Sequence, residues 1–207
     1  SAAAPFMINA TPAESGRAML SRIDLASGRV AASFPLEGRG LLNDLARGRD
    51  GSIYVTESQG GAIYVLRPRD GKLKQLLAPD SFESPNGIIA LPDGNLVVAD
   101  FDGLALVVDP AGPAPRVARL ATPDDLYLGG IDGLAWSKGH IIAIQNLVGR
   151  SRIWSLSIDV RNKRISGATV LMRGHPDFLN PTTGAIAGRH FVFIADTKLQ
   201  SARPDGS

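Results

Sequence analysis

The chain has 207 residues, 44% of them hydrophobic and 20% charged, which excludes a disordered chain and leaves enough material for one large domain with a substantial core. The net charge is only +2, with Lys and Arg scattered along the chain, so no basic stripe for nucleic acid is present, and the absence of Cys excludes disulfides, thiolate catalysis and Cys-based metal centres. No apolar run approaches the roughly 20 residues that a membrane-spanning helix needs, so neither nucleic acid nor a membrane is expected as a partner.

In chain order, the first segments are fragmentary. The opening Ser1-Ala2-Ala3-Ala4-Pro5 lacks an initiator Met; it reads as an expression scar or as the remnant of a small-residue signal cleavage site, the latter pointing to a periplasmic or secreted protein. Residues 6–10 read as a strand, followed by 18–25 (AMLSRIDL), a Ser27-Gly28 turn and 30–36. These match the last three strands of a four-stranded unit. A complete unit follows: Leu45-Ala46, an Asp50-Gly51 turn, SIYVTES at 52–58, a Gly60-Gly61 turn, AIYVLRP at 62–68, an Asp70-Gly71 turn and KLKQLLA at 72–78. Alternating β-branched and aromatic residues favour strands, and Gly-containing pairs favour hairpins. A second unit copies it, with 87–91, the Asp93-Gly94 turn, NLVVADF at 95–101, the Asp102-Gly103 turn, LALVVDP at 104–110 and RVARLA at 116–121. The third runs through GLAW at 133–136, a shorter turn at Lys138-Gly139, HIIAIQN at 140–146, RIWSLSI at 152–158 and ATVLMRG at 168–174. A fourth begins with PTTG at 181–184, turns at Gly188-Arg189 and ends with HFVFIAD at 190–196, without outer strands. No stretch sustains a 3.6-residue period, so the fold is expected to be all-β.

Each unit opens on a related phrase: LLND at 41–44, SPNG at 84–87 and GIDG at 130–133. Aligned on Asn43, Asn86 and Asp132, they recur at spacings of 43 and 46 residues. A period of this size is the signature of a β-propeller with one four-stranded blade per repeat. The chain reads as a single propeller domain over 1–207 that covers about four to five blades. Two arrangements stay open. The partial blades at the two ends combine to close a four-bladed ring, or the chain is an arc of a longer ring. An arc exposes strand edges, which invite self-association.

Equivalent positions on successive blades converge around the propeller axis. A ring of amide and carboxylate oxygens there is what a hard divalent cation needs, calcium first among them. Asn43, Asn86 and Asp132 are therefore candidate metal ligands. The competing reading makes Asn-Gly and Asp-Gly ordinary turn pairs, although each repeat already has its own Gly-containing turn about seven residues later. Asp44 either faces the channel or caps a loop. Thr182 and Thr183 occupy the matching opening of the fourth repeat, and His175 lies in the loop leading to it, so Asp44, Thr182 and His175 are candidate contacts for a small-molecule substrate. His140 and His190 head second strands away from the channel. Gln145-Asn146 reads as internal polar satisfaction, and Trp136 and Trp154 as packing between blades. No His pair has zinc spacing, and no G-x-S-x-G elbow occurs.

The blade openings, together with PDGNLVVADF at 92–101 and the block IDGLAW…IIAIQN…HPDFLNPTTG…FVFIAD, resemble the six-bladed propellers that include gluconolactonases, senescence marker protein (regucalcin) and, more distantly, the paraoxonases. The likeness covers roughly residues 18–196. It implies a divalent cation in the channel, usually calcium, held by an Asn, a second Asn, an Asp and a Glu. Asn43, Asn86 and Asp132 match the first three, and Asp132 would also be the catalytic base for water attack on a lactone. The family's Glu belongs to a first blade that this chain is expected to lack. The resemblance thus implies a metal-dependent hydrolase of lactones or related esters, set against a propeller that binds a ligand or protein without catalysis.

Overall fold

A computed structural model describes residues 16–146 and 148–197, and all structural statements below concern these residues. The opening residues and the strand expected at 6–10 lie outside them. The described chain holds sixteen strands and no helix. No helix is therefore long and apolar enough to cross a membrane.

Strands β1 (Met19–Ile23) and β2 (Val30–Pro35) form an antiparallel ribbon. Three four-stranded sheets follow. The first holds β3 (Leu42–Arg47), β4 (Ile53–Glu57), β5 (Ala62–Leu66) and β6 (Lys74–Leu77). The second holds β7 (Ile88–Ala90), β8 (Leu96–Asp100), β9 (Gly103–Val108) and β10 (Arg116–Arg119). The third holds β11 (Ile131–Ser137), β12 (His140–Gln145), β13 (Arg152–Asp159) and β14 (Arg164–Arg173). A second ribbon, β15 (Gly184–Ala187) with β16 (His190–Phe193), ends the described chain. In every sheet spatial order follows chain order, and the inner strands β3, β7, β11 and β15 lie side by side. This is the blade succession of a β-propeller. The two ribbons are separate sheets with no strand pairing between them among the described residues.

Alternation along each strand explains how the blades stack, since successive side chains face opposite sides of a sheet. Val97 and Ala99 of β8 pack toward the third sheet with Leu134, Ile141, Ala143 and Leu156. Leu96 and Val98 pack the other way, toward Tyr54, Ile63 and Val65 of the first. A strand covered on both faces reads as a nearly continuous apolar run, and β8, buried along its whole length, is apolar up to its last residue, Asp100. The short third-repeat turn is also accounted for: Lys138 and Gly139 both have positive φ, 48° and 87°, the two-residue geometry whose twist matches the flanking strands.

The last residue of each second strand is polar and buried: Glu57, Asp100 and Gln145. Each anchors the loop that carries its blade opening. Glu57 accepts the N–H groups of Leu41, Gln59 and Gly60 at 2.8–2.9 Å. Asp100 accepts those of Glu83, Ser84 and Phe101 and pairs with Arg119 at 2.7 Å. Gln145 donates to the carbonyls of Tyr127 and Gly129 and accepts from the Trp154 indole. Glu57→Gln turns one acceptor into a donor that faces an N–H, and is expected to cost about 1.5–3 kcal/mol in denaturant unfolding. An unchanged midpoint and slope would show that these bonds are replaced by water at no cost.

Candidate active site

The four blade openings meet at one end of the inner strands. There they line a pocket of about 470 Å³ with Asn43, Asp44, Asn86, Asp132, Thr182 and Thr183, together with Leu41, Gly133 and Thr197. A β-bulge makes this possible. The register of β3 against β4 shifts between Leu42 and Leu45, and that of β11 against β12 between Ile131 and Leu134. A bulge sets two residues against one and re-aims side chains. It is here that Asn43-Asp44 and Asp132-Gly133 sit.

Gly87 and Gly133, which follow Asn86 and Asp132, are not turn residues, since neither has a positive φ. They are required by close approach. The Gly87 N–H donates to the Asp132 carbonyl at 2.8 Å, and a Cβ on Gly87 would stand only 2.4 Å from that oxygen. A Cβ on Gly133 would stand 2.4 Å from the Thr182 carbonyl. The small residue lets neighbouring inner strands touch backbone to backbone, which narrows the ring around the polar side chains.

The side chains are held from behind. Asn43 Nδ2 donates to Ser58 Oγ at 2.9 Å, and Ser58 Oγ donates to the Pro85 carbonyl of the next blade at 2.6 Å. Asn146 Nδ2 donates to Asp132 Oδ2 at 2.6 Å and to the Pro181 carbonyl of the following opening at 2.8 Å. The Asn86 amide also hydrogen-bonds Asp132. With the amide nitrogen of Asn43 engaged, its oxygen is left for a ligand. Asp44 lines the pocket and also caps its neighbour: Oδ1 accepts the Leu45 N–H at 2.8 Å and Oδ2 the Ile88 N–H at 3.0 Å. Both of the alternatives posed for Asp44 are thus realised in one residue.

Burial pushes the Asp132 carboxyl above the ordinary carboxylate range, against the opposing pull of the Asn146 and Asn86 amides. Burial raises Asp44 as well, with the two N–H groups working against it and the Asp132 charge adding to it. Among the described residues no Lys, Arg or His lines the pocket. Two desolvated carboxylates, amide oxygens and hydroxyls without a protein cation suit a hard divalent ion such as calcium. Among the described residues no cluster of three His, Cys, Asp or Glu could hold a metal, so such an ion would depend on the Asn oxygens.

His175 is not brought to this pocket. Its imidazole is about half exposed, 3.6 Å from Asp177, with the ring 5.5 Å from that of Phe178. Phe178 packs edge-on to Phe193 in the apolar cluster of Ala135, Ile142 and Ile153, between the third sheet and β15–β16, and His175 is not among the residues that line the pocket. His140 and His190 head β12 and β16, as expected from the turns before them. Trp154 is buried between blades and Trp136 packs against the same core. The residue that sequence reasoning undervalued is Asn146. Its signal is positional: like Ser58, it stands directly after the second strand and donates to the proline carbonyl that opens the next blade. Asn146→Ala is expected to raise the Asp132 carboxyl further by removing an amide donor. The pH midpoint of any Asp132-dependent binding should then move upward; a fixed midpoint would show that Asn146 does not tune this carboxylate.

No protein-family model matches the chain, and no curated protein matches it in sequence. Solved structures do match. A protein described as a "putative gluconolactonase" aligns at 18% identity over 83% of this chain and 61% of that chain, with a TM-score of 0.58. Virginiamycin B lyase from Staphylococcus aureus aligns at 16% identity over 84% and 55%, also with a TM-score of 0.58. Glutaminyl cyclase from Myxococcus xanthus aligns at 14% identity over 85% and 83%, with a TM-score of 0.52. The chain spans between 55% and 61% of the lyase and of the gluconolactonase-like protein. At such identities the likeness speaks to architecture, and the architecture shared with these proteins is the β-propeller.

Proposed function

We propose that the axial pocket binds a divalent cation, calcium first, and hydrolyses a small lactone or related ester. One observation supports this above the others: four blade openings turn oxygen-bearing side chains into one pocket that holds two half-buried carboxylates and, among the described residues, no basic group. Asn43, Asn86 and Asp132 would hold the ion, and Asp44 would add charge without leaving its backbone partners. When bound, the ion supplies Lewis-acid polarisation of an ester carbonyl. Asn146 fixes Asp132 Oδ2 and the Asn86 amide adds a second hydrogen bond, and the carboxylate so positioned would accept a proton from water. Thr182 and Thr183 offer hydroxyls to the polar edge of the substrate. Asp132 must be ionised both to ligate and to act as base. Its raised proton affinity means that cation binding strengthens as pH rises through the upper carboxylate range, and weakens on acidification.

The test is calorimetric titration with calcium alongside a lactone-hydrolysis assay on the wild type and Asp132→Ala. Binding heat with turnover that vanishes in the variant supports the reading; no heat, with any lactone rate unchanged by the variant, removes it. A second reading, a propeller that binds without catalysis, draws on the pocket lining, which includes no imidazole. Calcium and ligand heats without turnover would favour it.

A further inference from the structure

Three of the four contacts between successive sheets are filled by apolar clusters, one between the first and second four-stranded sheets, one between the second and third, and one between the third and β15–β16. The remaining contact, between the β1–β2 ribbon and β3–β6, holds a cleft of about 600 Å³. The cause lies in the alternation of the first sheet. Ala46, Tyr54, Ile63 and Val65 are spent on the second sheet. Leu45, Arg47, Ile53 and Leu66 face the other way, toward Leu20 and Phe34 of the ribbon, and leave space between. The volume falls in the range of small-molecule sites, and the wall is mostly apolar with a few polar groups, as such sites are.

The polar groups are one-sided. Arg22, Arg47 and Arg67 line the cleft against a single acid, Asp70. Asp70 Oδ1 is already paired with Lys74 at 2.7 Å, while its Oδ2 is buried and unpartnered among the described residues. No ion pair involves Arg22 or Arg47 among the described residues. An apolar slot with two uncommitted guanidinium groups has a definite chemical complement. We propose that this cleft is a second ligand site, separate from the axial pocket, for a small amphipathic carboxylate. Its head would pair with Arg22 and Arg47, and its hydrocarbon body would lie on Phe34, Ile53 and Leu66. Guanidinium forks favour carboxylates because two parallel N–H···O bonds form at once.

The experiment is calorimetric titration of the full chain, without calcium, using octanoate and octanol. Octanoate is expected to bind saturably at one site. Octanol is expected to bind at least tenfold weaker than octanoate. Arg22→Gln and Arg47→Gln, made separately so that a folding failure in one leaves the other readable, should each weaken octanoate about tenfold with an unchanged melting temperature. Binding of octanol as tightly as octanoate, octanoate affinity unchanged from wild type in both arginine variants, or no saturable binding at all overturns the proposal. Binding that emerges only when residues 1–15 are removed also overturns it, because the cleft is then filled by the chain itself. None of these outcomes depends on calcium or turnover, so the axial reading stands or falls separately.

Discussion

Asp132→Asn is expected to stabilise the calcium-free protein and to abolish the stabilisation that calcium gives the wild type. The two effects have opposite signs and a common cause. The Asp132 carboxylate is desolvated beside Asp44, with no basic group lining its pocket among the described residues. A carboxyl whose proton affinity is raised on folding contributes its full stability only below the ordinary carboxylate range, and that contribution is lost as pH rises through the raised value. At neutral pH the charge is therefore a liability in the empty site. The neutral isostere removes it, for a gain of about 1 kcal/mol. Wild type at a hundred times the calcium dissociation constant should gain about 2.7 kcal/mol, or roughly 5–10 °C in melting temperature for a chain of this size. The Asn variant should gain almost none of it. Thermal denaturation of both proteins with and without calcium, at neutral pH and at pH 5, gives the whole comparison. If Asp132→Asn lowers the calcium-free melting temperature, or keeps the calcium gain, the pocket is not an anion-rich cation site.

The second large effect falls on a residue without a side chain. Gly87→Ala is expected to cost about 3 kcal/mol, the upper part of the range for overpacking a tight contact. The new methyl would meet the Asp132 carbonyl at 2.4 Å and the Leu134 nitrogen at 3.0 Å, both main-chain atoms that cannot swing aside. Relief requires β7 and β11 to separate, which breaks the bond from the Gly87 N–H to Asp132 and draws Asn86 away from the Asp132 carboxylate. Stability and calcium affinity should fall together. The control is Gly94→Ala, where the added methyl meets nothing within 4 Å and the cost comes only from its positive φ of 93°. That variant should lose stability without losing calcium affinity. Equal affinity losses in the two variants would mean that strand spacing does not set the site.

Much of this architecture was legible in the residues. The strand positions followed from period-two alternation and Gly-containing turns, as in 95–101 around β8 and 140–146 around β12. The repeat spacing brought Asn43, Asn86, Asp132 and Thr182 to one pocket, because equivalent positions in stacked blades face the same axis. His175 was misplaced for a reason that no spacing reveals. Its neighbours in sequence point its loop toward the channel, whereas the Phe178–Phe193 contact holds the loop in the apolar cluster between the third sheet and β15–β16. Asn146 was read as generic polar satisfaction, because its partner carbonyl, on Pro181, is 35 residues away in the chain.

What the sequence determined by itself, then, is the blade, its period and the residue types gathered at each opening, since these depend on local alternation and turn chemistry. Only the tertiary structure decided how those openings work. The bulges at 43–44 and 132–133 aim the side chains, and the glycines beside them serve contact between neighbouring strands rather than a turn. The same holds for the one sheet contact left as a cleft instead of a core. Each of these is set by which backbone atoms of a neighbouring blade come within a few ångströms, a distance between residues some 40 positions apart that no local pattern encodes.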